Sequence, residues 1–252
     1  MERVRRILAL LGEGHSLPAI AARLRQRPAP PERPQGVWNV YLEAALEAIG
    51  DFSNERLEAL YNEASSLYPV DLVTERLIEP LLVELGTRWR ERETGIAEEH
   101  FFSAWLRNRL GARFHHALGQ CDGPRIVCAG VPGSRHEVGL LLFALSAMAR
   151  GYRVVYLGPD LPLDQLPLVV DRCAARAVVL GGRDPIDQPL RAALAALAAG
   201  MPVPVMLGGP CSDAPLAEFE AAGGIRLGAR IPVALRLLRA RVRAEAVRRR
   251  GR

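Results

Sequence analysis

The sequence predicts an all-α four-helix bundle at residues 38–120, followed at 121–252 by an α/β domain with a flavodoxin-like, doubly wound sheet of five parallel strands. Two observations support this fold class. Apolar residues recur at helical spacing through the first region, and short apolar runs alternate with helical segments through the second. The carboxyl edge of such a sheet is where ligands bind, so we expect a crevice there that faces the bundle.

The bundle is predicted from four helical segments with glycine or proline near the joints between them. In the third segment, leucine and isoleucine recur every three or four residues, as one buried face of a bundle helix requires. The predicted helices are 38–49, 54–67, 69–92 and 96–118.

The α/β domain is predicted from apolar runs of strand length, each followed by a helix. The predicted strands are 125–131, 152–157, 177–180, 203–207 and 225–227. The predicted helices are 137–150, 164–173, 188–199, 214–222 and the segment from 232 onward.

Composition excludes several classes of protein. The chain has 252 residues, is 49% apolar and has no uninterrupted apolar run of membrane-spanning length or signal-peptide pattern, so we expect a soluble, cytoplasmic protein without a membrane partner. Its four cysteines are scattered, which argues against structural zinc and disulfides. All 33 basic residues are arginine, and the absence of lysine excludes lysine Schiff-base chemistry and a P-loop lysine.

Eight arginines fall between residues 236 and 252, at the end of the last predicted helix, in a chain of net charge +5. One interpretation is a solvated helix end that complements the helix dipole. The other is a phosphate-binding tail.

The first 25 residues predict a helical hairpin, which a proline- and arginine-rich linker at 26–37 joins to the bundle. The hairpin resembles the back half of a MerR-type winged-helix DNA-binding domain, whose recognition helix would precede Met1. Two explanations remain open: a shortened regulator, or a relative that does not read DNA by itself. DNA is expected as a partner only if a helix-turn-helix exists upstream, and a plain helical hairpin is the alternative.

A histidine follows the first predicted strand, in the sequence Ser134-x-His136-x-x-Gly139. A loop histidine is often only a hydrogen-bonded polar group, but Gly139 would let a flat ligand approach the backbone. The loop resembles the Asp-x-His-x-x-Gly loop of the cobalamin-binding domain. That resemblance implies that His136 is the metal ligand and binds cobalt from below.

Two further glycine sites extend this resemblance: Gly181 after the third predicted strand, and Gly208-Gly209 after the fourth. In the cobalamin-binding domain, residues at these places line the tunnel for the nucleotide tail. The chain departs from that family twice. Ser134 replaces the acid that would hold the second imidazole nitrogen, although a serine can still orient the ring, and 181–183 has Gly-Gly-Arg in place of Ser-x-Leu.

A second motif, Trp89-x9-Glu99-His100, spans the joint between the last two bundle helices. From the residue types alone, a packed tryptophan and a capping glutamate explain it equally well. The motif is similar to that of the CarH/LitR/CarA family of B12-dependent photoreceptors, which implies that Trp89, Glu99 and His100 cap the upper face of adenosylcobalamin. Arg90 replaces the histidine that takes the cobalt after illumination in that family, and a guanidinium cannot serve as that ligand.

Together the motifs predict a cobalamin-binding sensory transcriptional regulator, not an enzyme. It would hold adenosylcobalamin or another cobalamin, respond to loss of the upper group by light or exchange, and act as a homo-oligomer or on another regulator. One alternative is a cofactor-free interaction module or anti-repressor, with a haem- or bilin-binding variant in which Arg183 pairs with a propionate. The other is the corrinoid-carrying subunit of a methyltransferase or mutase.

Overall fold

A computed structural model describes the backbone of residues 36–91 and 93–250, and the side chains of all of these except 71, 89–91 and 245–250. The predicted hairpin at 1–25 lies outside the described residues, as does the predicted linker up to residue 35.

Four helical segments form the bundle, as predicted, with one unpredicted feature. The third segment contains a π-helical turn, in which each backbone N–H bonds one residue further back than in an α-helix. The bundle helices are α1 (Gly36–Gly50), α2 (Asn54–Leu67), α3 (Val70–Val73, the π turn Thr74–Ile78, then Glu79–Glu91) and α4 (Gly95–Ala117).

The bundle buries one apolar face of each helix. On α3 the buried residues include Leu77, Leu81 and Leu85, which continue the predicted stripe through the π turn, and on α4 Phe102 and Leu106 are fully buried. Ser53 caps the N-terminus of α2, since its hydroxyl accepts a hydrogen bond from the Arg56 backbone N–H.

The second half is the predicted five-stranded parallel sheet, in the order β2-β1-β3-β4-β5. This is the flavodoxin-like order, in which the chain reverses direction across the sheet between β1 and β3. The strands are β1 (Arg125–Gly130), β2 (Arg153–Tyr156), β3 (Val178–Gly181), β4 (Val205–Gly208) and β5 (Ile225–Gly228).

Helices connect the strands, with short 3₁₀ turns Leu163–Gln165 and Pro210–Asp213 before two of them. The helix predicted at 214–222 begins only at Ala217, because Ala214 precedes Pro215 and has an extended backbone. The connecting helices are α5 (Val138–Met148), α6 (Leu166–Cys173), α7 (Gln188–Gly200), α8 (Ala217–Ala221) and α9 (Ile231–Arg250).

Helix α5 joins the two halves because it is apolar on every side. Leu141 and Leu145 pack into the core of the bundle, while Phe143 and Ala144 pack into the core of the sheet. The residue before α5 is Glu137 and the one before that is His136, so the predicted metal ligand is attached to the helix that both halves share. Among the described residues, no helix is long and apolar enough to cross a membrane.

Candidate functional site

The loops after β1 and β3 are held together at the carboxyl edge of the sheet. The backbone N–H of Val131 donates to the carbonyl oxygen of Gly181. A Cβ on Gly182 would lie 2.7 Å from Cγ2 of Val131, so this close approach requires glycine. The parallel register of β1 and β3 therefore brings residues near 135 next to residues near 184.

His136 lies at this edge with 54% of its side chain exposed, and its Nε2 atom is 3.9 Å from Oδ1 of Asp184. The distance is within ion-pair range but too long for a hydrogen bond. Asp184 is 58% exposed, so neither side chain is fixed by packing. Sequence reasoning missed Asp184, because its approach to His136 follows from the register of β1 and β3 and not from a local pattern.

Ser134 does not take the orienting role that the sequence allowed. Its side chain is buried, and its hydroxyl has no hydrogen-bond partner among the described residues, His136 included. Its backbone instead fixes the loop: the Ser134 N–H donates to the Val131 carbonyl, and the Ser134 carbonyl accepts from the N–H of Asp160. The carboxylate nearest to His136 thus comes from the loop after β3.

The predicted glycines have different surroundings. Gly139 faces open space, as a ligand-approach position would require. Gly181 lies under Leu140, whose Cδ1 atom would be 3.1 Å from an added Cβ. A Cβ on Gly208 would meet only ordinary contacts, the nearest at 3.5 Å, whereas one on Gly209 would overlap the carbonyl oxygen of Gly182. Gly181 and Gly209 therefore pack against the protein's own atoms.

An open groove of about 830 Å³ lies at the ends of β1, β2 and β3. Its described lining includes Asp184, which is near His136, but neither His136 itself nor a residue of the bundle, so this groove does not face the bundle as the sequence predicted. Its size is within the range of small-molecule sites. The floor is mostly proline, leucine and isoleucine, and four carboxylates stand around it. They are Asp160, Asp164, Asp184 and Asp187.

The upper side of the predicted site is formed by the end of α3 and the start of α4. Trp89 is on the last turn of α3, and its side chain lies outside the described residues. Gly86, nearly one turn earlier, faces the loop after β3, since Nη2 of Arg183 is 3.6 Å from the place of its missing Cβ. The end of helix α3 therefore lies within reach of an arginine side chain from the loop after β3.

Glu99 and His100 bond within their own helix. The Glu99 carboxylate accepts from the Ser103 hydroxyl, and the exposed His100 ring has Nδ1 2.9 Å from the carbonyl oxygen of Ile96. No hydrogen bond or ion pair joins this pair to His136 in the described part of the chain. Their contact with a bound ligand stays a prediction.

The buried acid of this turn is Glu98, which sequence reasoning missed. It is 2% exposed, and Oε1 accepts a hydrogen bond from the Thr94 hydroxyl. The other oxygen, Oε2, is buried and has no partner among the described residues. Glu98 is four residues after the N-cap Thr94, one residue later than the glutamate of a capping box, so that motif did not indicate it.

An ion pair joins the His136 loop to the bundle. Nε of Arg107, on α4, is 2.6 Å from Oε1 of Glu137, the residue after His136. Burial and the nearby Glu137 carboxylate both raise the pKa of Tyr156, on β2, above its ordinary value. The ring of Phe114, also on α4, contacts the Tyr156 ring, with 5.6 Å between centroids. The His136 loop is therefore coupled directly to α4.

Cysteine reactivity provides a first test of this edge. Burial raises the pKa of Cys211, which packs against Gly182, to about 12. Since the thiolate is the reactive form, we expect a disulfide reagent at pH 8 to label the partly exposed Cys121 and Cys173 well before Cys211 in the folded chain. Mass spectrometry of the labelled peptides measures the order, and early labelling of Cys211 would show that this edge opens.

The helical bundle and five-stranded sheet together form the cobalamin-binding fold. Residues 41–113 match the family model of a B12 binding domain, and these residues include most of α1 to α4. The structure is similar to the monomethylamine corrinoid protein of Methanosarcina barkeri, with a TM-score of 0.62 over 80% of this chain and 99% of that one, at 15% identity.

Two curated relatives share more of their sequence with this chain than the corrinoid protein does. The chain is 29% identical to the HTH-type transcriptional repressor CarA of Myxococcus xanthus over 163 residues, which are 64% of this chain and 54% of CarA. It is also 29% identical to the HTH-type transcriptional repressor CarH of the same organism over 167 residues, 64% of this chain and 55% of CarH. The chain spans about half the length of these relatives.

The residues present fit the part of cobalamin that holds the cobalt. An accessible imidazole nitrogen is a good ligand for a transition metal, and His136 offers one at the carboxyl edge with a carboxylate nearby. The fit is poorer for the nucleotide tail, since Leu140 lies over Gly181 and the Gly182 carbonyl lies against Gly209. A side-chain movement of Leu140 would be needed to open that path.

Proposed function

We propose that this chain binds a cobalamin, preferably adenosylcobalamin, between helices α3 and α4 and the carboxyl edge of the sheet, and acts as a sensory transcriptional regulator, not as an enzyme. The observation that carries the proposal is His136: its imidazole is accessible at the edge, and its loop is tied to the bundle through Glu137 and Arg107. The similarity to two transcriptional repressors supports the regulatory part.

In this proposal His136 would supply a nitrogen ligand to the cobalt, and Asp184 would accept a hydrogen bond from the other ring nitrogen after a small approach. Trp89, Glu99 and His100 lie on the helices that would cover the upper face. Cobalamin supplies a cobalt ion whose upper bond to carbon can be broken by light or exchanged. Arg90 offers no nitrogen lone pair, so residue 90 cannot replace a lost upper group.

The signal would pass through contacts that the structure contains. A displacement of the His136 loop moves Glu137, which is bonded to Arg107 on α4, and moves the start of α5, which packs into the bundle core. A ligand shifts such an equilibrium only by binding its two states with different affinity. The resulting change in the bundle would alter self-association or the binding of another regulator.

Replacing Arg107 with alanine tests this coupling. The pair is half-exposed, so we expect the free energy of unfolding to change by less than about 1 kcal/mol. Cobalamin affinity should stay within about threefold of the wild type, because Arg107 does not reach His136, while the difference in elution volume between the two ligand states should shrink. Arg113→Ala, on the same helix, is the control, and an unchanged elution difference in Arg107→Ala would contradict the coupling.

Reconstitution tests the proposed function itself. The purified chain is mixed with adenosylcobalamin in the dark, and its absorption spectrum and gel-filtration profile are recorded before and after illumination. We expect a coloured protein whose elution changes when the upper group is lost. A colourless protein that elutes identically in both conditions would overturn the proposal.

A second candidate is a cofactor-free interaction module on the same fold. It is favoured by Leu140, which fills the space over Gly181, and by Arg183, which reaches Gly86 across the crevice. Calorimetric titration with hydroxocobalamin separates the two candidates. Heat of binding together with colour supports the sensor, and their absence supports the cofactor-free module.

A further inference from the structure

Helix α9 carries a strip of arginines that the proposed cobalamin site does not use. Arg236, Arg239 and Arg243 are exposed, and their spacing of three and four residues places them on one face of the helix. With a rise of about 1.5 Å per residue, neighbouring members are about 4.5 and 6 Å apart along the axis. We call these three residues the arginine strip.

The opposite face of α9 fixes the strip to the rigid part of the fold. Leu235, Leu238 and Val242 are buried in the core against the sheet and α5. A membrane-surface helix inserts its apolar face into the bilayer. The apolar face of α9 is already buried in the protein, so it is unavailable for that insertion. The strip is a fixed row of charges on a packed helix.

Positive charge in this region is not neutralised. No ion pair to an acidic side chain is formed by the three strip residues within the part of the chain that the structure describes. Helix α5, which packs beside α9, contains no charged residue.

Two neighbouring features extend the positive surface toward the edge strand β2. Arg239 and Arg243 both act on Tyr152, where their charges partly offset the rise in pKa that burial causes. The next residue, Arg153, donates from Nε to the carbonyl oxygen of Gly123, a contact that fixes the guanidinium without cancelling its charge. The sequence beyond the strip adds four more arginines between 248 and 252.

We propose that the arginine strip of α9 is a sequence-independent contact surface for double-stranded nucleic acid. A duplex presents a dense, regular array of phosphates, about one charge per 1.7 Å of its axis, and the planar guanidinium pairs with phosphate through two hydrogen bonds. Contacts from guanidinium groups to phosphates carry no sequence information, so a row of arginines that pairs with phosphates binds a duplex without regard to its sequence. This inference is independent of cobalamin binding.

The test uses the full chain and a fluorescent 20-base-pair duplex of arbitrary sequence, with binding followed by anisotropy from 50 to 200 mM salt. For two or three phosphate contacts we expect a slope of log affinity against log salt of about −2 to −3. Arg239→Glu/Arg243→Glu should lower affinity at 50 mM salt by at least about tenfold and reduce the slope by about two. Arg172→Glu/Arg176→Glu, exposed arginines near α6, change the net charge equally and should stay within about threefold.

Circular dichroism shows whether each variant is folded, and the milder pair Arg239→Ala/Arg243→Ala must lower affinity in the same direction. If the strip variant and the control variant lost the same affinity for the duplex, net charge alone would explain the effect, and the proposal would be overturned. So would the absence of binding by the wild type at 50 mM salt. Binding to vesicles of phosphatidylcholine and phosphatidylserine, without binding to the duplex, would also overturn it.

Discussion

Replacing His136 with alanine is expected to lower the affinity for hydroxocobalamin by at least about 100-fold, since loss of a residue that only supports a metal ligand already costs 10- to 100-fold. The side chain is more than half exposed, so the free energy of unfolding should change by less than about 0.5 kcal/mol. Titration followed by visible absorption measures both the affinity and the spectrum of the bound corrinoid.

The matched control is His116→Ala, an exposed histidine at the end of α4, away from the sheet edge. It should bind like the wild type, with the same spectrum. If His136→Ala kept the wild-type affinity and spectrum, His136 would not be the metal ligand, and the cofactor-free module would become the better account of this fold. If the wild type itself bound no corrinoid, the proposed function would fail before this variant was needed.

The strands and their carboxyl edge were predictable because the signal is local. A run such as 125–131 is apolar on both faces, as a strand between two layers of helices must be, and parallel strands place all their carboxyl ends at one edge. Because the loop that holds His136 directly follows the first strand, it must lie at that edge. The apolar face of α4 was equally visible, since Phe102, Leu106 and Leu110 repeat every four residues.

The partners of the site residues were not predictable, because they depend on contacts between distant segments. Ser134 is near His136 in sequence, but its hydroxyl is buried and has no hydrogen-bond partner among the described residues. Asp184, which is 48 residues after His136, has a carboxylate oxygen within ion-pair distance of the ring. The register of β1 and β3 and the glycines at 181–182 bring those loops together, and no local pattern encodes that approach.

Helix phase caused the other miss. Adjacent residues on a helix point about 100° apart, so the difference between Glu98 and Glu99 is the difference between the core and the surface. The structure buries Glu98 and leaves Glu99 bonded to Ser103. The π turn at Thr74–Ile78 also shifts the phase of its helix, because it places an extra residue in one turn of α3, and its residues Leu77 and Ile78 are buried in the bundle core.

Gly209→Ala is expected to lower the free energy of unfolding by about 3 kcal/mol or more, measured by urea denaturation of the chain without cobalamin. Gly209 has φ of +86°, in the left-handed region that favours glycine. An added Cβ would also overlap the carbonyl oxygen of Gly182, a backbone atom that cannot move without disturbing the loop after β3. Both costs are present in the absence of any ligand.

Gly208→Ala is the matched control from the same glycine pair. Its Cβ would meet Leu227 Cβ at 3.5 Å, an ordinary contact, and its stability should change by less than about 1 kcal/mol. The comparison thus isolates the effect of packing at residue 209.

The same two variants bear on ligand binding. Because Gly209→Ala damages the fold itself, a loss of cobalamin binding in that variant would say nothing about the nucleotide tail. A loss of binding in the stable Gly208→Ala variant would place the nucleotide tail beside β4. If the two variants had the same free energy of unfolding, the loop after β4 would not need glycine at 209. The close approach of the loops after β3 and β4 would then not stabilise this edge of the sheet.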